Sequence, residues 1–139
     1  MTRHSTAVEW KEGLLFEGQQ QGLALRLVGS SAEGGEPAGF SPKQLVLTGL
    51  AGCTAMDVAS LLPKMRVEFS AFRVEVDGDL SADHPRTYER IRLRYIVRAA
   101  AASRPSIEQA IRLSIEKYCG VYAMLATSAA ISHELILEN

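Results

Sequence analysis

Cys53 and Cys119 are the residues of this 139-residue chain best suited to covalent chemistry. A thiolate attacks a peroxide or a disulfide, and a second thiol can capture the oxidised sulfur. Other chemistries lack their residues. There is no Gly-x-Ser-x-Gly elbow for a Ser-His-Asp hydrolase. His4, His84 and His133 stand alone, and neither cysteine has a Cys-x-x-Cys partner, so no metal site is expected. Neither a Gly-x-x-x-x-Gly-Lys-Ser/Thr nor a Gly-x-Gly-x-x-Gly segment is present to cradle phosphates, and no cofactor is expected.

The two thiols stand in different settings. Cys53 falls in the middle of a long apolar stretch, where a small inert core residue is the plainest reading. Asp57, one helical turn on and on the same face, does not favour a second negative charge beside it. Cys119 lies at the end of a helical segment, with Gly120 after it and Lys117 nearby.

The elements that must position them can be read from periodicity. Ala7–Lys11, Leu14–Glu17 and Leu23–Val28 read as short strands parted by turns at Gly13 and Gly18–Gly22. Gly29–Gly39 is rich in Gly, Ser and Glu and reads as a mobile loop. Ser41-Pro42 is a helix start, with Ser as N-cap and Pro at the first helical position. From Leu45 to Leu62 apolar residues occupy every face, which calls for a helix surrounded by protein. Gly49 and Gly52 inside it suggest close approach of another backbone, and Pro63 should end or kink it.

Phe72, Val74 and Val76 alternate with charged residues, as do Ile91, Leu93, Tyr95 and Val97 with Arg90, Arg92 and Arg94. This is a hairpin with a turn near Asp83-His84-Pro85, one face buried and one wet. Placing the turn there sets Glu75 and Asp77 roughly opposite Arg92 and Arg90, so the arginine row reads as cross-strand ion pairs rather than a phosphate site. A second helix follows over about Pro105–Tyr118, with Ile107, Ala110, Ile111, Ile115 and Tyr118 as its apolar stripe. A short helical piece, Val121–Ala126, and a last strand, Ile131–Glu138, complete the chain. Strands and helices come in blocks, which is α+β order.

The length suits a single domain over residues 1–139. A hydrophobic fraction of 47% and a charged fraction of 22% describe an ordinary globular chain. A formal net charge of −1 speaks against a nucleic-acid binder. The apolar stretch carries Thr48, Thr54, Asp57 and Ser60, which speaks against a membrane span. The opening residues lack the apolar core of a signal peptide, so a cytoplasmic location is expected, with reduced thiols.

Two segments carry a resemblance. Ser41-Pro42-Lys43-Gln44-Leu45-Val46-Leu47 running into Ala51-Gly52-Cys53-Thr54-Ala55-Met56-Asp57-Val58, and then Glu116-Lys117-Tyr118-Cys119-Gly120-Val121, resemble the two cysteine motifs of the OsmC/Ohr family. Trp10-Lys11-Glu12-Gly13-Leu14 and Gly39-Phe40-Ser41-Pro42 fit as well. The first motif is most similar to the OsmC-like branch rather than to the organic hydroperoxide resistance proteins proper.

The resemblance implies an intertwined homodimer, with antiparallel strands and a long buried central helix. It implies thiol-dependent reduction of organic or inorganic hydroperoxides in oxidative-stress defence. Cys53 would be the attacking thiolate and Cys119 the resolving thiol, with an external dithiol restoring the pair. Family peroxidases activate the thiolate with an arginine–glutamate pair. The glutamate position is Lys43 here, and no arginine lies between Arg3 and Arg26. Reduction is therefore expected to be slow, unless an arginine such as Arg26, Arg66 or Arg104 reaches the site. The alternatives are binding of a small apolar or electrophilic ligand at the dimer interface, and redox sensing.

Overall fold

A computed structural model describes residues 2–29 and 38–139. The chain forms two compact units, residues 1–46 and 47–139. Most of the expected loop between Gly29 and Gly39 lies outside the described residues.

In the first unit three strands, β1 (Ala7–Glu12), β2 (Leu15–Gln20) and β3 (Leu23–Val28), form an antiparallel meander in sequence order. Gly13 and Gly22 sit in the two turns at φ of +50° and +80°, where a side chain would be strained. The backbone returns alongside β3, where Phe40 N–H donates to the Arg26 carbonyl at 2.9 Å and Val28 N–H donates to the Phe40 carbonyl at 2.9 Å.

The helix α1 (Pro42–Lys64, 23 residues) begins at the expected proline and crosses from the first unit into the second. Pro63 falls in its last turn. Arg66 then takes the left-handed conformation at φ +60°, and Val67 N–H reaches back to the Leu62 carbonyl at 2.9 Å. Arg66 N–H bonds the Pro63 carbonyl at 3.0 Å, which completes a helix-ending motif usually built on glycine.

Leu47, Leu50, Thr54, Val58 and Leu62 recur every three to four residues and are buried. The opposite stripe is not covered. Met56 is 75% exposed, and a Cβ added at Gly49 or Gly52 would meet nothing within 4 Å. A helix apolar on every face thus has one face buried by its own chain, and among the described residues none closes on the two glycines.

The second unit adds β4 (Phe69–Leu80), β5 (Tyr88–Ala99), α2 (Arg104–Leu113), a π-helical turn over Ser114–Tyr118, α3 (Gly120–Leu125) and β6 (Ala130–Glu138). The α+β order is as expected. The sheet order is β4-β5-β6; β4 and β5 are antiparallel, whereas β6 runs parallel to β5 because the helices between them carry the chain back to the starting end. Ile91, Leu93, Tyr95 and Val97 of β5 join the α1 stripe and Ile107, Ala110 and Ile111 of α2 in one core. Gly78 of β4 lies where a Cβ would stand 2.6 Å from the Tyr88 ring, so a side chain there would displace it.

The hairpin register differs from the expected one by two residues. Glu75 faces Arg94, Asp77 faces Arg92 and Asp79 faces Arg90, with an irregularity after Asp79 that shifts the pairing. A shift of two leaves every side chain on its own face, so the burial pattern is unaffected. Arg92 and Arg94 of the row are ion-paired as the alternation implied. Arg94 donates to Asp77 at 2.8 Å and to Glu75 at 3.2 Å, and Arg92 grips both oxygens of Asp79 at 2.9 and 3.1 Å. Those hydrogen bonds hold all three carboxyls below their ordinary range.

Leu62 is fully buried at the C-terminal end of the α1 stripe. Leu62→Ala is expected to destabilise the fold by about 2–5 kcal/mol, read as a lower urea midpoint, because the surrounding core collapses only partly into the space.

Candidate functional site

The site is built at the meeting of α1, β5 and the end of α2. Thr54 points into the core from α1 and is fully buried, as are Tyr95 on β5 and Ser114 at the start of the π turn. A buried hydroxyl without a partner costs about 1–3 kcal/mol, so the three must satisfy one another. Thr54 Oγ1 lies 2.8 Å from Tyr95 Oη and 2.8 Å from Ser114 Oγ. Ser114 Oγ in turn donates to Asp57 Oδ2 at 2.9 Å. Among the described residues no buried side-chain nitrogen or oxygen is left unbonded.

The π turn sets the position of Cys119. Its backbone N–H bonds the Ser114 carbonyl, five residues back, at 2.8 Å. One extra residue per turn lets Ser114 face inward while Tyr118, expected in the apolar stripe, swings out to 51% exposure under Lys117. Such single wide turns often mark functional sites. Cys119 then caps α3, its sulfur accepting the Tyr122 N–H at 3.4 Å.

Cys53 and Cys119 are both free thiols, and Cys53 lies close enough to act on the Cys119 sulfur. Cys119 is 3% exposed, and Cys53 is only partly buried. Burial pushes the Cys119 thiol up to about 11; the neighbouring Cys53 and Asp57 push the same way, and the Tyr122 N–H opposes them without prevailing. Burial likewise pushes the Tyr95 phenol up to about 12, although its bond to Thr54 acts in the other direction. Tyr122 is raised too, chiefly by burial. None of the groups acting on Cys119 is a cation. Arg104, one of the arginines that could have served, is ion-paired to Glu108 along its own helix at 3.2 Å.

The two cysteines singled out in the sequence are thus brought together. Thr54, Ser114 and Tyr95 were not singled out. Their signal was present: Thr54 is polar inside an apolar helix, and Ser114 continues the stripe of Ile107, Ala110 and Ile111. Asp57 was noted only for its charge, and the structure ties it into the hydroxyl chain. Among the described residues no cluster of three His, Cys, Asp or Glu side chains could hold a metal ion.

The family model for OsmC-like protein matches residues 34–134. The protein YhfA of Escherichia coli K12 is 33% identical over 127 residues, covering 91% of this chain and 92% of that protein. The crystal structure of an OsmC-like protein from Mycoplasma pneumoniae superposes with a TM-score of 0.86 at 16% identity, covering 99% of each chain. The organic hydroperoxide resistance protein OhrB of Bacillus subtilis does so with a TM-score of 0.67 at 16% identity, covering 96% of this chain and 98% of that one. The two superpositions speak to the fold. A family match across most of the sequence, with a relative one-third identical over nearly the whole of both chains, places this chain in the OsmC-like protein family.

Proposed function

We propose that this chain is a cytoplasmic, homodimeric, thiol-dependent reductase of hydroperoxides working through Cys53 and Cys119. The observation that carries the reading is the nearness of two free thiols, distant in sequence and unequal in access. Cys53 is the one a substrate can reach. Its thiolate attacks the outer oxygen of the hydroperoxide, the O–O bond breaks, and the alcohol leaves with a proton while Cys53 becomes a sulfenic acid. Cys119 then attacks the Cys53 sulfur, a disulfide forms and water leaves. An external dithiol reduces the disulfide and closes the cycle. The apolar surroundings of Cys53 suit a hydroperoxide with an apolar tail. Among the described residues no cation is found acting on Cys119, and the position that carries a glutamate in family peroxidases is Lys43, which favours slow turnover.

The uncovered stripe of α1 supports the homodimer. Gly49, Gly52 and Met56 recur at helical spacing and leave a shallow, apolar track that a second copy could enter closely. Sedimentation is expected to find the protein at twice the chain mass of 15.1 kDa. Met56→Glu should shift it towards the monomer, and a native protein sedimenting as a folded monomer at micromolar concentration refutes the assembly.

Reduced protein titrated with cumene hydroperoxide should lose two thiols per chain, and peptide mapping should recover the Cys53–Cys119 pair. Cys53→Ser should abolish consumption of the peroxide. Overoxidation of Cys53 with Cys119 untouched speaks against a resolving thiol.

Alkaline pH supplies a further check. The Cys119 thiol in the folded chain lies well above its ordinary value of 9.0, at about 11. Its contribution to stability is therefore complete below pH 9 and is lost as pH rises through 11, because the unfolded chain releases the proton first. The urea midpoint should fall across that window, and by less in Cys119→Ala, whose buried position no longer ionises.

A further inference from the structure

We infer that Asp57 accepts the Cys119 proton during disulfide formation and that Tyr95, Thr54 and Ser114 form a one-way hydroxyl chain that positions it. The inference rests on the peroxide-reducing reading above and names the acid–base group that reading leaves open.

The direction of the chain follows from counting protons. Ser114 has one hydroxyl proton, and it points to Asp57 Oδ2 at 2.9 Å. The Ser114 oxygen must therefore accept from Thr54, whose own single proton fills the 2.8 Å contact between them. Thr54 in turn can only accept from Tyr95, across the other 2.8 Å contact. Three dipoles are aligned head to tail, and all end on one carboxylate oxygen. Chains of this kind reinforce one another in a low-dielectric core. They hold the Asp57 carboxylate through its Oδ2 atom.

Asp57 and Cys119 are both tied to Ser114, one through its side chain and the other through its backbone carbonyl. Asp57 also follows Cys53 by one turn of α1. The carboxylate is near enough to the Cys119 sulfur to act on it electrostatically, and it stands one helical turn from Cys53. Cys119 needs such a base, since a thiol pushed up to about 11 holds its proton at neutral pH.

The step balances as follows. The Cys119 Sγ–Cys53 Sγ bond forms as the Cys53 S–O bond breaks, so the Cys119 sulfur is oxidised and the Cys53 sulfur reduced. The Cys119 proton passes to Asp57 and then to the departing hydroxide, which leaves as water. Asp57 ends as the carboxylate it was at the start. Because the thiol loses its proton only as the carboxylate gains it, no second negative charge builds up in the core.

Among the described residues, Asp57 acts on Tyr95 of β5, which has His133 of β6 against its ring, and on Cys119 at the head of α3, which is bonded by the Tyr122 N–H; Cys53 precedes it by one turn on its own helix. Tyr95 is pushed up to about 12 and Tyr122 is raised as well, so both remain neutral over the neutral range.

The test separates two rates in the same protein. Reduced chain is mixed with one equivalent of cumene hydroperoxide and quenched over time, with dimedone trapping the sulfenic acid and mass spectrometry counting the disulfide. In Asp57→Asn, sulfenic acid should form no more slowly than in the wild type, since the negative charge one turn from Cys53 is gone, while its conversion to disulfide slows by about 100-fold, the usual scale for loss of a general base. That conversion should then rise about tenfold per pH unit between pH 7 and 9, where the wild type stays flat. Ser114→Ala keeps the carboxylate but frees it, and should slow the conversion by roughly tenfold with sulfenic acid formation unchanged. Loss of structure alone would slow both steps. This second variant decides the matter should Asp57→Asn fail to fold. Disulfide forming within twofold of the wild-type rate in the variant tested overturns the role of Asp57 and leaves the peroxide-reducing reading intact. Wild-type protein that forms neither sulfenic acid nor disulfide overturns both.

Discussion

The Thr54 hydroxyl is the point on which the second unit turns. It is fully buried on a helix face whose other buried residues are Leu47, Leu50, Val58 and Leu62, and it is satisfied by groups brought from other elements. Tyr95 comes from the middle strand of the sheet and Ser114 from the far end of α2, each at 2.8 Å. Hydrophobic burial would tolerate α1 sliding or rotating slightly against the sheet. Two hydrogen bonds at fixed length and angle would not. The packing of Leu50, Val58 and Leu62 supplies the driving force, and the polar triad selects one arrangement from those it permits.

That division explains what could be read from the sequence. Element types and most buried faces follow from periodicity, and they were legible: the alternation of β5 and the Ile107–Ile111 face are where the pattern places them, whereas α1 is apolar on every face and its pattern does not say which one this chain buries. The proposed pairing of Cys53 with Cys119 comes from likeness to a family, since nothing in the spacing of either cysteine requires them to meet. The hydroxyl chain was not found at all. Thr, Ser and Tyr are common in core-adjacent positions, and one-dimensional patterns do not say which of them share a partner.

The hairpin register failed for a related reason. Alternation has a period of two and cannot distinguish pairings that differ by two residues; the irregularity after Asp79 decided it. Tyr118 failed because the expected helix was regular, whereas the chain widens by one residue between Ser114 and Tyr118. Both errors are local departures from ideal geometry. One of them lies on a wet surface with no bearing on the site, and the other forms part of the site.

The wide turn also bears on how this segment can change in length. In a regular α-helix each residue advances about 100° around the axis, so removing one residue from 114–118 would restore the ordinary repeat and rotate everything after it by that amount. Cys119 would then point away from Cys53, although no residue at either sulfur had been altered. Replacement of the exposed Glu116, Lys117 or Tyr118 leaves the rotation untouched. Insertions and deletions here are therefore under far tighter constraint than substitutions, the reverse of what holds in surface loops.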